Sequence, residues 1–267
     1  MKNVDTGPHS GVLCREKHLH KRWHVETNEK YFLWSFIFES DLIEQIENNR
    51  QKLRNDIVAE KQDGHVGAFL FARSKADKQE VIDEDFIKTI QKLICAEQHL
   101  KGARKMKDAT VGKYRKKNIS IISRRPIFIT EKEIVWKTEV LEKKPKPKLV
   151  PELMKKWVES VLKWQKNFKS FSPEENVKKI ADFHFDFEEI HPFADGNGRT
   201  GRILAYYMLR YATLNQFIFW ECTKSYDYYP AFKDKKLMQE YFRLRVLEPR
   251  KILGRVESLT EDEIITF

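Results

Sequence analysis

Between His191 and Arg202 the chain reads HPFADGNGRTGR, which places a histidine, a carboxylate, two arginines and three of only ten glycines in one short stretch. Glycine loses more conformational freedom on folding than other residues, so such clustering means that backbone must approach something closely. A calcium loop of the EF-hand kind would take Asp195 and Asn197 as its first ligands. It would then put Arg199 at the next ligand position, Thr200 at the turn glycine and Tyr206 at the bidentate glutamate, which is three failures in one loop. Gly196, Gly198 and Gly201 also spell the dinucleotide fingerprint G-x-G-x-x-G, with FHFDF upstream as a conceivable strand and Glu221 downstream. Helical apolar spacing from Val177 to Ile190 and the lack of any βαβ alternation speak against it.

A third reading uses every residue. Gly196, Asn197 and Gly198 let backbone N–H groups converge at the N-terminus of the following helix, where they form an anion hole. Arg199 and Arg202 are three apart on that helix and clamp further phosphate oxygens. Asp195 stands where it can hold a magnesium ion, and His191 has the near-neutral pKa of a base for a hydroxyl. The set describes a cradle for an ion-paired triphosphate with a general base beside it.

The elements that must position these groups are mostly helical. Phe32, Leu33, Phe36, Ile37 and Ile43 recur at helical spacing over about Asn28 to Asn49, and Phe86, Ile87, Ile90, Leu93 and Ile94 do so over Glu84 to Leu100. The β-branched and aromatic stretch after Val111 reads as a hairpin with a break at Arg124-Arg125-Pro126, followed by the proline-punctuated connection EKKPKPKLVPE. Leu153, Trp157, Val161, Leu162 and Trp164 mark the next helix. Ser172, Pro173 and Glu175 supply a capping box for the helix that runs to Ile190. A last apolar stretch, Ile203 to Leu214, continues beyond the motif as a helix. The expected fold is mainly α, a helical bundle with a small hairpin. His184 reads as a structural histidine on a buried face.

Composition sets the class. With 267 residues, 34% charged and 41% hydrophobic, the chain suits a soluble globular protein. Cys14, Cys95 and Cys222 are an odd, scattered set, as in reduced thiols and a cytoplasmic setting, although a leaderless export signal is invisible to such reasoning. The apolar run YFLWSFIF is too short to span a bilayer, so no membrane partner is expected. The net charge of +10 is concentrated between Lys101 and Lys117 and in KKPKPK from Lys143 to Lys148. Those runs read as a solvated face or linker; without a helix-turn-helix or zinc spacing, nucleic acid is not the expected partner.

The motif resembles the signature of the Fic (filamentation induced by cAMP) family, His-Pro-Phe-x-Asp/Glu-Gly-Asn-Gly-Arg-x-x-Arg, with every defined position filled. AEQHLKGARKMKDATVGKYRKKNISI is similar to the family's helix and Gly-x-Tyr-Arg segment before a hairpin flap, and the likeness runs from about Glu84 to Leu247. Tyr206 departs from the Asn found in many relatives. The resemblance implies a Fic-type helical bundle with a flap over the active site: residues 1–80 as N-terminal tail and helical region, 81–250 as the core domain and 251–267 as a C-terminal tail. It implies protein adenylyl transfer, in which AMP passes from ATP to a Ser, Thr or Tyr hydroxyl of a target protein, self-modification included. His191 would be the base and Asp195 would hold Mg2+. Gly196, Asn197, Gly198, Arg199, Thr200, Gly201 and Arg202 would bind the nucleotide, with Tyr228 and Tyr229 near the adenosine. The flap around Ile119, Ser120, Ile121 and Ile122 would pair with target backbone as an added strand. Removal of AMP, or transfer of another phosphate-linked group, would use the same site. Many relatives carry an inhibitory helix with Ser/Thr-x-x-x-Glu-Gly/Asn, whose Glu pairs with the second motif arginine. Ser40 and Glu44 match it in ESDLIEQ, while Gln45 departs from the Gly or Asn that ends such a helix. The target and the oligomeric state are not legible.

Overall fold

The computed structural model describes residues 25–44, 49–101, 110–130, 133–214 and 225–248. The N-terminal 24 residues, Gln45, Glu221, Cys14, Cys222 and the C-terminal tail lie outside them, and for residues 121–130 and 133–142 only the backbone is described. In chain order the elements are α1 (Val25–Ile43), α2 (Arg50–Val58), α3 (Gly64–Asp77), α4 (Glu84–Lys101), β1 (Ser120–Thr130), β2 (Glu133–Lys143), α5 (Val150–Asn167), α6 (Pro173–Ile190), α7 (Asn197–Tyr211), α8 (Ser225–Ala231) and α9 (Lys235–Val246).

The helix starts are chemically marked. Asn49 accepts the Lys52 N–H at 2.9 Å, Asp83 the Phe86 N–H at 2.6 Å and Asp234 the Leu237 N–H at 3.0 Å. Each satisfies a donor that has no intrahelical acceptor. Ser172 and Glu175 form the reciprocal capping box, with Pro173 at the first helical position. The first helix ends earlier than its apolar pattern suggests: α1 stops at Ile43, Glu44 stands in a turn, and Asn49 caps α2 instead.

Helix α7 is the centre of the molecule, packed by α6 on one side and by α3 and α4 on others. Its Ile203 to Leu209 run is buried without interruption, so it reads as apolar all round rather than striped. Helix α5 is striped: Met154, Trp157, Val161 and Trp164 face inward while Lys155, Lys156, Glu159 and Lys163 face out. Helix α1 is anchored by aromatic packing. Phe32 and Phe36 meet Phe69 of α3 and Tyr206 of α7, and Phe69 stacks on Tyr206 at 4.1 Å between ring centroids. Tyr206 is thus a core residue, and its departure from Asn coincides with this aromatic seat for α1.

β1 and β2 form an antiparallel hairpin in which Ser120 faces Lys143 and Phe128 faces Ile134. The expected break at Arg124-Arg125-Pro126 does not occur. Arg124, Arg125 and Pro126 pair with Thr138, Lys137 and Trp136 inside the ladder. A two-stranded ribbon leaves both outer edges open, where proline's missing N–H forfeits no ladder bond. Register shifts fall instead at Ile121/Ile122 and Phe128/Thr130.

Candidate active site

The motif occupies the turn from α6 into α7. His191 terminates α6 in the left-handed conformation (φ 48°, ψ 64°), with its N–H donating to Phe187 O at 2.9 Å. For a non-glycine residue followed by proline this backbone is strained, at a cost of order 1–3 kcal/mol, and it re-aims the side chain away from the helix line. Its Nδ1 lies 3.3 Å from Glu188 O. With Nδ1–H donating there, Nε2 keeps its lone pair. Burial, reinforced by Lys144, lowers the pKa of His191 to about 4, so the imidazole is neutral at physiological pH.

The loop is held from inside. Asn197 accepts the Phe193 N–H at 2.8 Å through Oδ1 and donates to Phe193 O at 2.9 Å through Nδ2. Its amide is therefore spent on the loop, and only its backbone is available to a ligand. Gly196 is the N-cap of α7 at φ 78°, and the first helical bond is Thr200 N–H to Gly196 O at 3.0 Å. The N–H groups of Asn197, Gly198 and Arg199 precede that bond and so have no intrahelical acceptor. This is the anion-binding end of a helix. Arg199 is buried beside it, 3.8 Å from Asp195, and its Nε is buried with no acceptor, as fits a residue awaiting an oxyanion.

Asp195 Oδ1 accepts the Gly196 N–H at 2.6 Å. No cluster of three or more His, Cys, Asp or Glu able to hold a metal occurs among the described residues. One carboxylate beside a phosphate cradle is nonetheless what magnesium uses when phosphates and water complete its shell.

Arg202 is fully buried and surrounded. Its Nε donates to Ser40 Oγ at 2.8 Å, and Nη2 donates to Ser40 O at 3.0 Å and to Glu44 Oε1 at 2.8 Å. Nη1 reaches Tyr228 OH at 3.4 Å. The Glu44 carboxylate also covers Gly198: a Cβ there would fall 2.1 Å from Glu44 Oε1. One carboxylate from α1's end thus stands over both the cradle glycine and the second motif arginine.

Two expected nucleotide contacts fall elsewhere. Gly201 faces α6, where a Cβ would lie 2.2 Å from Glu188 Oε1 and 3.2 Å from Phe187. Its missing side chain serves helix packing, because Gly201 stands one full turn, about 6 Å along the axis, beyond the helix end that forms the cradle. Thr200 is wholly buried on the same helix, with its hydroxyl inside the core.

Tyr228 and Tyr229 separate. Tyr228 is buried and donates to His184 Nε2 at 3.0 Å, while His184 Nδ1 donates to Gly201 O at 3.2 Å, a relay that fixes Tyr228 behind Arg202. Burial and the nearby Arg202 hold His184 far down, at about 3, so it is a neutral bridge. Tyr229 is 52% exposed and donates to Ile43 O at 2.9 Å, pinning the end of α1.

Three supporting residues lie outside the His191–Arg202 stretch; Arg115 is the arginine of the Gly-x-Tyr-Arg segment, and the other two carry no motif signal of their own. Arg115 donates to His191 O at 2.8 Å, Ile190 O at 3.3 Å, Pro145 O at 2.7 Å and Lys117 O at 3.2 Å, which ties the histidine's backbone to both ends of the hairpin. Gln91 donates to Asp195 O at 3.1 Å and accepts the Gly112 N–H at 2.6 Å. A polar residue on the apolar stripe of α4 was its only sequence signal. Glu188 lies with Oε2 3.7 Å from His191 Nδ1, and burial pushes its carboxyl up to about 8.

The Fic/DOC family model matches residues 81–209, which contain α4, the hairpin and the whole of the motif turn. The chain carries a Fic domain. A probable protein adenylyltransferase of Aquifex aeolicus is 47% identical over 60 residues, spanning 22% of this chain and 17% of that relative. A Fic-domain-containing signaling protein from Bacteroides thetaiotaomicron has the same fold with a TM-score of 0.60 at 16% identity, covering 88% of this chain and 90% of that one. Fic-1 of C. elegans (residues 134–508) gives a TM-score of 0.58 at 15% identity, covering 93% and 71%. These likenesses extend beyond the Fic domain to include the N-terminal helices. No helix among the described residues is long and apolar enough to cross a membrane.

Proposed function

We propose that this chain transfers AMP from ATP to a hydroxyl of a target protein and that Glu44 restrains the reaction. The observation that carries the reading is the neutral His191, its Nδ1 beside Glu188 O, standing one turn before three helix N-terminal N–H groups. A neutral imidazole with a free Nε2 accepts a proton, and the helix end and Arg199 bind the phosphates of the same substrate.

In the reaction, a Ser, Thr or Tyr oxygen attacks the α-phosphorus while its proton passes to His191 Nε2. The bond from the α-phosphorus to the bridging oxygen breaks, and pyrophosphate leaves. The N–H groups of Asn197, Gly198 and Arg199 with the Arg199 guanidinium stabilise charge on the phosphates, and Arg202 holds the γ-phosphate so that the leaving oxygen lies in line. Asp195 would hold magnesium, which neutralises phosphate charge when bound. The open edges of the hairpin would add a strand of target backbone, bringing its hydroxyl past Ile119 and Ser120 toward His191.

Glu44 occupies the Arg202 guanidinium and covers Gly198, so a triphosphate can reach both only by displacing it. Wholesale release of α1 would expose Phe32, Leu33, Phe36 and Ile37, each stabilising by roughly 1.5–3 kcal/mol through burial. Relief therefore comes from movement of the Glu44 turn, beyond the helix end, rather than from detachment of α1.

The test incubates the protein with magnesium, a cell lysate and ATP labelled at either the α or the γ position. Label entering protein from the α position alone, and lost in His191→Ala while Mg-ATP still raises that variant's melting temperature, is the expected result. Transfer from the γ position, or retained transfer in His191→Ala, would overturn it.

A further inference from the structure

Two lysine-rich segments that are remote in sequence come together at the base of the hairpin. Ser120 pairs with Lys143, Lys144 N–H donates to Ile119 O at 3.4 Å, and Arg115 bonds both Lys117 O and Pro145 O. Residues 113–117 and 143–148 therefore run side by side. Two of their cations are turned inward and satisfied: Arg115 on four carbonyls, and Lys144, 4% exposed, on Glu189 at 3.1 Å. Lys113, Lys116, Lys117, Lys143, Lys146 and Lys148 remain exposed, and none of the six forms an ion pair among the described residues. Like charges this close repel within a Debye length of about 8–10 Å, and a bound polyanion relieves that repulsion.

The patch is also shaped. A groove of about 540 Å³ runs through it, walled by Tyr114, Pro147 and Pro151 and edged by Lys113, Lys116 and Lys148. The carboxylate of Glu84 beside it is already engaged by Lys88 and Tyr114 OH, both at 3.0 Å, and Asp85 is the other described carboxylate that bears on Tyr114. The groove adjoins the reaction centre through one residue: Arg115 N–H donates to Pro192 O at 2.9 Å, next to His191.

We infer that this groove docks an acidic segment of the protein that is modified. A target strand held on the hairpin brings its flanking residues to the hairpin's base, where a carboxylate-rich stretch meets six unpaired ammonium groups. Nucleic acid fits the groove less well. Its one aromatic ring among the described lining residues, Tyr114, already has the Lys88 ammonium 4.7 Å from its centroid and Phe193 at 5.7 Å, which leaves little room for a stacked base. Among the described residues the lysines stand on loops, a strand end and, for Lys148, the single 3-10 turn Pro147–Leu149 ahead of α5, so the patch presents no long helix to enter a major groove.

The identity of the partner rests on the transferase reading, but the binding does not, so the test contains no transfer step. A fluorescent glutamate-rich peptide is titrated into the full chain, with a serine/glycine-rich peptide of equal length and a single-stranded oligonucleotide of equal charge as comparisons. The glutamate-rich peptide should bind more tightly than either and stay bound at saturating Mg-ATP. It should bind the Lys113→Glu/Lys116→Glu/Lys148→Glu variant at least about tenfold more weakly, since exposed ion pairs are individually weak but three are reversed together. The milder Lys116→Gln/Lys148→Gln variant, with an unchanged melting temperature, should show a smaller loss of the same sign. Equal binding by the variants, tighter binding of the oligonucleotide, or displacement of the peptide by Mg-ATP would each overturn the inference.

Discussion

Replacing Glu44 by glycine removes one carboxylate from Arg202 and leaves the rest of its surroundings in place. Arg202 keeps Ser40 Oγ at 2.8 Å, Ser40 O at 3.0 Å and Tyr228 OH at 3.4 Å, so it stays oriented. What is lost is the 2.8 Å charge-assisted bond to a side chain about one-third exposed. A hydrogen bond to a charged group contributes roughly 1.5–3 kcal/mol, and partial exposure argues for the lower part, about 1.5–2 kcal/mol. If that energy must be surrendered before the γ-phosphate reaches Arg202, removing it raises the rate of AMP transfer by about 10- to 30-fold. Wild type and Glu44→Gly would be compared at equal protein with α-labelled ATP, following both lysate proteins and the enzyme itself. Stabilisation by Mg-ATP should grow in the variant, because an anion then returns to a buried guanidinium that has lost its own. Ser40→Ala provides the scale: it deletes one neutral acceptor worth roughly 1 kcal/mol and should change the rate by about fivefold or less. Equal rates for wild type and Glu44→Gly, with unchanged Mg-ATP stabilisation, would refute the argument that this carboxylate obstructs the triphosphate.

Other consequences follow from neighbouring residues. Asp195→Ala should abolish the magnesium dependence of nucleotide-induced thermal stabilisation, and stabilisation that still needs magnesium would place the ion elsewhere. Gly201→Ala puts a methyl 2.2 Å from Glu188 Oε1 and should lower stability by about 1–3 kcal/mol, read by denaturant unfolding; an unchanged midpoint would mean that α6 yields freely. Burial raises the Glu188 carboxyl from its ordinary 4.5 to about 8, so over that interval the folded chain holds a proton that the unfolded chain has released. Its contribution to stability is therefore whole below pH 4.5 and is lost as pH rises toward 8. Glu188→Gln should flatten the fall in melting temperature between those values, and an equally steep fall in the variant would assign the slope to another group.

Some of this site was written in local sequence. The His191–Arg202 stretch, the capping box at Ser172 and the apolar stripe of α4 each depend on residues within a turn or two of one another, and such short-range rules are readable from spacing. The same holds for Ser40 and Glu44, one helical turn apart. Other roles were decided only when distant elements met. Gly201 looks like part of the cradle until α6 packs against it, and the glycine then serves the Glu188 carboxyl. Tyr228 looked like an adenosine contact, yet the packing of α8 buries it behind Arg202, while Tyr229 reaches back to Ile43. The hairpin carried an apparent break at Pro126 because proline opposes sheet pairing in general, whereas a two-stranded ribbon has an open edge to accommodate it. Arg115 and the two lysine runs show the same limit from the other side. Burial turns Arg115 and Lys144 inward and leaves their neighbours as one exposed patch, a distinction that composition cannot make because it depends on which carbonyls and carboxylates the fold brings within reach.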